Sequence, residues 1–163
     1  MMNVMNTNRM VNKMYNVIDI SKYIISMLNE VGVKITNLKL QKMLYYAQAY
    51  SLLEKDKPLY EEDIVARKLG PIVPVAHNAF KWANSSEILV IEEPNEIIEK
   101  RDKEMIKEVL MIMAYLPSED LVNITNEYDT WKDAIINTYD RTIYNDEIKK
   151  YHKKRMAESG YYF

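Results

Sequence analysis

The sequence predicts a mainly α-helical fold, a compact single domain around one central buried helix with at most a small β element. Residues 38–53 place apolar side chains around nearly the whole circumference of a helix, and such a helix is normally buried. Other segments carry apolar residues at three- and four-residue spacing, the mark of amphipathic helices. Only one short run, residues 87–92, reads as a good strand.

Residues 1–14 scatter five methionines among asparagines without periodicity and read as a loose extension, preceding an alternative start at Met14. Asp19 is placed to cap a first helix over about 19–31. Ile20, Ile24, Met27, Leu28 and Val31 follow at helical spacing, and Gly32 stands where a helix stops. Thr36 or Asn37 caps the second helix, residues 37–54. Leu40, Met43, Leu44, Ala47 and Ser51 share one face, while Leu38, Tyr45, Ala49, Leu52 and Leu53 cover much of the other. Asn37, Gln41 and Gln48 fall in one narrow polar stripe at about 100° per residue. Such a stripe is either a solvent edge, a set of side chains bonded to a neighbouring loop, or a contact surface for a partner.

Pro58 breaks this helix, and residues 64–66 form a short element. Gly70-Pro71 makes a rigid turn, since proline fixes its own φ and biases its predecessor away from the α region. Pro74 suits the first turn of a helix over about 74–84. The strand at 87–92 is expected to pair with residues 64–68. A long helix over 99–115 presents Met105, Val109, Ile112 and Leu116 on one face and ends at Pro117. Ser118 caps a short helix to Asn126; Thr130 with Asp133 matches a capping box before another; Asn145 caps the last, about 146–157. The expected layout is an extension over 1–14, one domain over 15–158 and a tail over 159–163.

Composition narrows the function. The chain has no cysteine, which removes disulfides, thiolate nucleophiles and Cys-based zinc sites and fits a reducing, cytoplasmic compartment. His77 and His152 are the only histidines, so a multi-histidine metal site is not expected. A net charge of −2 argues against dominant nucleic-acid binding, and no apolar run reaches the roughly 20 residues of a membrane span. The serines lack a G-x-S-x-G setting, and the three glycines are too scattered for a phosphate loop. Neither a catalytic constellation nor a cofactor motif is visible. The run Lys149-Lys150-Tyr151-His152-Lys153-Lys154-Arg155 is either a solvated helix face or a holder of phosphate or acidic groups.

The stretch from Leu38 to Gln48, the Pro58-Leu59 step, Ile64-Val65-Ala66, Gly70-Pro71-Ile72-Val73-Pro74 and Phe80-Lys81 resemble the SocA-like, or Panacea, antitoxin domain. Leu121 to Thr125, Trp131, and Ile143 to Tyr151 resemble its C-terminal half, so the likeness spans about residues 15–152. The resemblance implies a non-enzymatic antitoxin that binds and neutralises a protein toxin, in one mode by delivering it to a protease. Four positions depart from the family pattern. Arg67 stands for a tryptophan, Leu69 for an aromatic, Asn126 for a histidine and Thr130 for a proline.

Expected partner contacts are Gln41, Lys42, Tyr45 and Tyr46 on the central helix, Arg67, Lys68, Gly70 and Pro71 at the turn, and Trp131. Two other readings stand beside the antitoxin. One is a phage or mobile-element inhibitor of a host defence enzyme such as a CRISPR nuclease; the other is a DNA-binding regulator acting through residues 149–155.

Overall fold

The computed structural model describes residues 13–89, 92–137 and 139–163. Of the extension expected at 1–14, all but Lys13 and Met14 lies outside the described residues. The fold is mainly helical, with one small sheet.

Helix α1 spans Val17–Glu30 and begins two residues before the expected start. Its cap is Asn16, whose side chain accepts from the Ile18 amide at 2.8 Å, not Asp19. Asp19 lies inside the helix, is buried, and accepts from the Asn95 amide at 2.8 Å. Asp and Asn are both favoured caps, and burial of Val17, Ile20 and Ile24 decides the register between them. Gly32 ends the helix with φ +76°.

Helix α2, Asn37–Lys55, is capped by Thr36, which accepts from the Lys39 amide at 3.3 Å. It is the central element as expected, buried along most of its length and packed against α1, the hairpin and the later helices. Its polar stripe serves as internal scaffolding. Gln48 Oε1 accepts from the Leu59 and Tyr60 amides at 2.8 and 3.2 Å, and Gln48 Nε2 donates to the Tyr60 carbonyl at 3.0 Å. Gln41 Oε1 accepts from the Val73 amide at 2.9 Å. Each glutamine satisfies loop groups that would otherwise be buried without partners.

Strands β1 (Ile64–Arg67) and β2 (Gly70–Ile72) form an antiparallel hairpin with Lys68-Leu69 at its tip, so Gly70-Pro71, expected to make the turn, instead opens β2 and pairs with Arg67 and Ala66. Strand β3, Thr142–Ile143, pairs with β1 on the other side, giving the order β2-β1-β3. The expected pairing of 87–92 with 64–68 is therefore wrong, because both edges of β1 are taken. Residues 87–89 are not a strand, and 90 and 91 lie outside the described residues. Ile88 is fully buried; its amide donates to the Ile35 carbonyl at 2.8 Å, and its carbonyl accepts from Asn29 Nδ2 at 3.2 Å. Its apolar character reflects this plug, not a ladder.

Helix α3 is short, Pro74–Ala79, and passes into a 3₁₀ turn at Lys81–Ala83 that leaves Trp82 exposed. Helix α4, Lys100–Met113, buries Met105, Ile106, Val109, Leu110 and Met113. Ile112, expected on that face, is instead 72% exposed. The N-terminal end of α4 is tied to the start of the domain: Asp102 accepts from Tyr15 Oη at 2.7 Å and pairs with Lys55 at 2.5 Å.

Helices α5 (Ser118–Asn126) and α6 (Asp129–Asn137) follow. Pro117 occupies the cap position expected of Ser118, with no side-chain cap bond. Thr130 does not cap α6; it lies within it, buried, with its hydroxyl 3.2 Å from Tyr45 Oη. Helix α7, Asn145–Ser159, starts from Tyr144, and Asn145 Oδ1 is instead an acceptor for Gln48 Nε2 at 3.3 Å. Residues beyond it turn back, and Phe163 packs edge-on against Tyr46 and His152 at ring-centroid distances of 5.1 and 4.9 Å.

Candidate functional site

The β1–β2 hairpin is held from behind through its backbone. Trp131 Nε1 donates to the Arg67 carbonyl at 2.8 Å, and Asn126 Nδ2 donates to the Lys68 carbonyl at 3.3 Å. Anchored this way by α5 and α6, the hairpin leaves the side chains of Arg67, Lys68 and Leu69 exposed. Both anchors stand at or beside positions where the sequence departs from the family pattern.

Gly70 is where the hairpin closes on the core. Its φ is +100°, and a Cβ built there would lie 2.8 Å from both Lys42 Cε and Thr125 Oγ1. Glycine is required twice over, for the backbone angle and for the contact. Lys42 reaches beneath the turn and donates from Nζ to the Pro71 carbonyl at 3.1 Å. It is fully buried, and burial lowers its pKa to about 7.

The lowered pKa makes stability depend on pH in a defined direction. Between about 7 in the folded state and about 10.5 unfolded, the unfolded chain holds a proton that the folded chain has released. Stability contributed by this site therefore rises with pH through that window. Relative to Lys42→Met, the native chain should gain about 2 kcal/mol between about pH 7 and about pH 9, read from urea unfolding at each pH. Parallel stability curves for the two proteins would show that Lys42 titrates normally.

Four expected contacts thus belong to the interior. Gln41, Lys42, Tyr45 and Tyr46 are all within 1% of complete burial, and Gly70 and Pro71 are buried as well. They are not surface groups, because their positions on α2 face the packed interior and the side-chain polar atoms of Gln41 and Lys42 are bonded within the protein. Tyr45 and Tyr46 join Tyr128, Tyr151, His152 and Phe163 in an aromatic cluster. His152 Nδ1 lies 2.7 Å from the Tyr162 carbonyl, which can only accept, so Nδ1 carries the proton. Nε2 then accepts from Tyr45 Oη at 2.8 Å. Burial lowers the His152 pKa to about 4, which keeps the ring neutral near pH 7.

The basic run of α7 is accordingly not one continuous cationic face. His152 is buried, Arg155 sits over the Tyr128 ring at 5.7 Å, Lys149 pairs with Asp56, and Lys154 pairs with Glu158 at 3.9 Å. Among the described residues, no helix is long and apolar enough to cross a membrane, and no His, Asp and Glu side chains gather as a metal site would require.

The opening that remains beside the hairpin is a cleft of about 660 Å³, lined from α2, the hairpin, α3 and the turn after it. Asn37, Leu38 and Gln41 contribute from α2, and Leu69, Ile72 and Pro74 add apolar surface. Arg67 and Lys68 line it from the hairpin; His77, Asn78, Lys81 and Asn84 line it from α3 and the turn after it. The floor is rigid: Asn37 Nδ2 donates to the His77 carbonyl at 2.9 Å, and Gln41 Nε2 donates to Asn37 Oδ1 at 2.9 Å. Of the residues expected at a partner surface, Arg67 and Lys68 line this cleft; His77, Lys81 and Asn84, which line it too, were not among them, since nothing in the spacing of Phe80-Lys81 brings it to the hairpin.

The fold and this cleft define a small helical module with a preformed, cation-lined recess. Residues 40–132 match the family described as Antitoxin SocA-like, Panacea domain, and the chain belongs to that family. It is similar to Antitoxin SocA of Caulobacter vibrioides (strain NA1000 / CB15N), with 29% identity over 123 residues. That alignment covers 66% of this chain and 63% of the relative, so the chain spans less than two thirds of the relative's length. No solved structure matches.

Proposed function

We propose that this chain is an antitoxin-type protein that binds a protein toxin in the cytoplasm and neutralises it by direct contact, without catalysis. Membership of the antitoxin family is the observation that carries this reading. The cleft supports it, being an open recess with apolar lining and a hydrogen-bonded floor, the form in which binding energy is least spent on ordering the receptor. In this reading Arg67 and Lys68 touch the partner. Trp131 positions Arg67, while Gln41, Lys42, Tyr45, Tyr46, Gly70 and Pro71 hold the platform beneath them. The working unit extends from Tyr15 to Phe163, since both ends pack on the core.

Co-expression with the product of the adjacent gene tests the proposal. The neighbour alone should arrest growth, and this chain should restore it with toxin still present and bound in a pull-down. Restored growth with disappearance of the toxin would point to delivery to a protease instead. A harmless neighbour, or one fully toxic in the presence of this chain, would sink the antitoxin reading.

A further inference from the structure

The cleft beside the hairpin has a charge pattern that specifies the chemistry of what enters it. Arg67, Lys68 and Lys81 all line it, and no carboxylate does. Among the described residues none of the three forms an ion pair; the Arg67 guanidinium reaches only the Ala66 carbonyl, at 3.5 Å. Some other lysines, such as Lys22, Lys55, Lys132 and Lys149, have carboxylate partners within the chain; these three, which share one recess, do not. Three uncompensated cations around one recess repel each other, and a bound anionic group relieves that repulsion.

The recess is not polar throughout. Leu38, Leu69, Ile72 and Pro74 supply an apolar surface between the cations, and Leu69 and the nearby Trp82 are 51% and 67% exposed. A bare polyanion would leave this surface wet. A segment alternating carboxylates with apolar side chains would satisfy both features, its acids meeting Arg67, Lys68 and Lys81 while its apolar groups cover Leu69 and Ile72. The volume of about 660 Å³ lies within the range of roughly 300–1,000 Å³ typical of ligand-sized sites, enough for a short stretch of peptide.

We propose that the cleft between the hairpin and the Lys81 turn docks an acidic, apolar-containing peptide segment of the partner protein. This rests on the antitoxin reading for the identity of the partner, but the recognition chemistry stands on the cleft alone. The polar frame of Asn37 and Gln41 contributes shape, because its hydrogen bonds are already committed within the protein.

The test uses the full chain and a displayed library of random short peptides, with no assumption about the natural partner. Enriched peptides should carry Asp or Glu beside Leu, Ile, Val or an aromatic. Their backbone amide shifts should map to residues 67–72 and 77–84. Arg67→Glu with Lys68→Glu should weaken a selected peptide by roughly tenfold or more, and so should Lys81→Glu. Affinity should fall as salt is raised from about 0.05 to about 0.5 M. Enrichment of basic or uncharged peptides, shifts confined elsewhere, or equal binding by the charge-reversed variants would overturn the proposal. So would preference for an oligonucleotide over every peptide, which would make the site a phosphate binder. The same variants separate the two readings in co-expression. Neutralisation that survives all three reversals removes the cleft and keeps the antitoxin; peptide binding without any neutralisation removes the antitoxin and keeps the cleft.

Discussion

Gly70→Ala is expected to lower folding stability by about 3–4 kcal/mol, through left-handed backbone strain and overpacking together. The methyl group has nowhere to go. It would stand 2.8 Å from Lys42 Cε and from Thr125 Oγ1, and 2.9 Å from Lys42 Nζ. None of these is a free end. Lys42 is buried and bonded to the Pro71 carbonyl, and the Thr125 hydroxyl donates to the Leu121 carbonyl at 2.9 Å. Gly32→Ala supplies the control, because Gly32 has φ +76° but no atom within 4 Å of its would-be Cβ. That variant should cost only about 1 kcal/mol, so the difference between the two measures crowding apart from backbone strain. Urea unfolding with an unchanged slope gives both values. A Gly70→Ala cost no larger than that of Gly32→Ala would mean that the turn yields without disturbing Lys42.

Gln48→Leu should cost about 3–5 kcal/mol, a large share of the 5–15 kcal/mol that stabilises a typical domain. Leucine preserves the volume, so packing is not the cause. The loss falls on the chain passing Gln48, where the amides of Leu59 and Tyr60 and the carbonyl of Tyr60 all use its side chain. Leu59 and Tyr60 are fully buried, so water does not replace the missing partner without opening the core. Amide exchange at Leu59 and Tyr60 should accelerate far more than exchange within α4. Uniform acceleration across the protein would instead indicate general destabilisation, and unchanged protection would refute the role assigned to Gln48. Gln48→Glu sharpens the result: it keeps the acceptor for both amides but loses the donor to Tyr60 and buries a charge.

The helical elements were legible because their signals are local. The apolar circumference of α2, the glycine after α1 and the proline opening α3 each constrain their own few residues, and the structure follows them closely. Capping was less legible. Asn16 and Asp19 are chemically equivalent caps, and only the burial of Val17 through a core it does not see in sequence selects the earlier one. The strand at 87–92 failed for a related reason. A short β-branched run signals burial, and burial is satisfied equally by a ladder or by a plug such as Ile88, bonded to Asn29 of α1 and to Ile35 in the α1–α2 loop.

The candidate site divides along the same line. Arg67 and Lys68 are exposed at the hairpin, as expected of residues beside a Gly-Pro step, although Gly70-Pro71 itself belongs to β2. Gln41, Lys42, Tyr45 and Tyr46, expected as partner contacts, are buried; a polar atom in a helix reads identically whether it meets solvent, a partner or a buried loop. His152 is the extreme case: five of its six neighbours in the run from Lys149 to Arg155 are basic, yet it is fully buried between aromatic rings.

By itself the sequence determined the central helix and the family, since these depend on periodicity and motif within short segments. The tertiary structure alone decided that Lys42 is buried against Gly70 and Pro71, that Gln41 and Gln48 are scaffolding, and that Arg67, Lys68 and Lys81 line one acid-free cleft. The physical reason is distance along the chain. Whether a polar group meets solvent, a loop carbonyl or another cation is set by segments tens of residues away, brought together only when the hydrophobic faces close on one core.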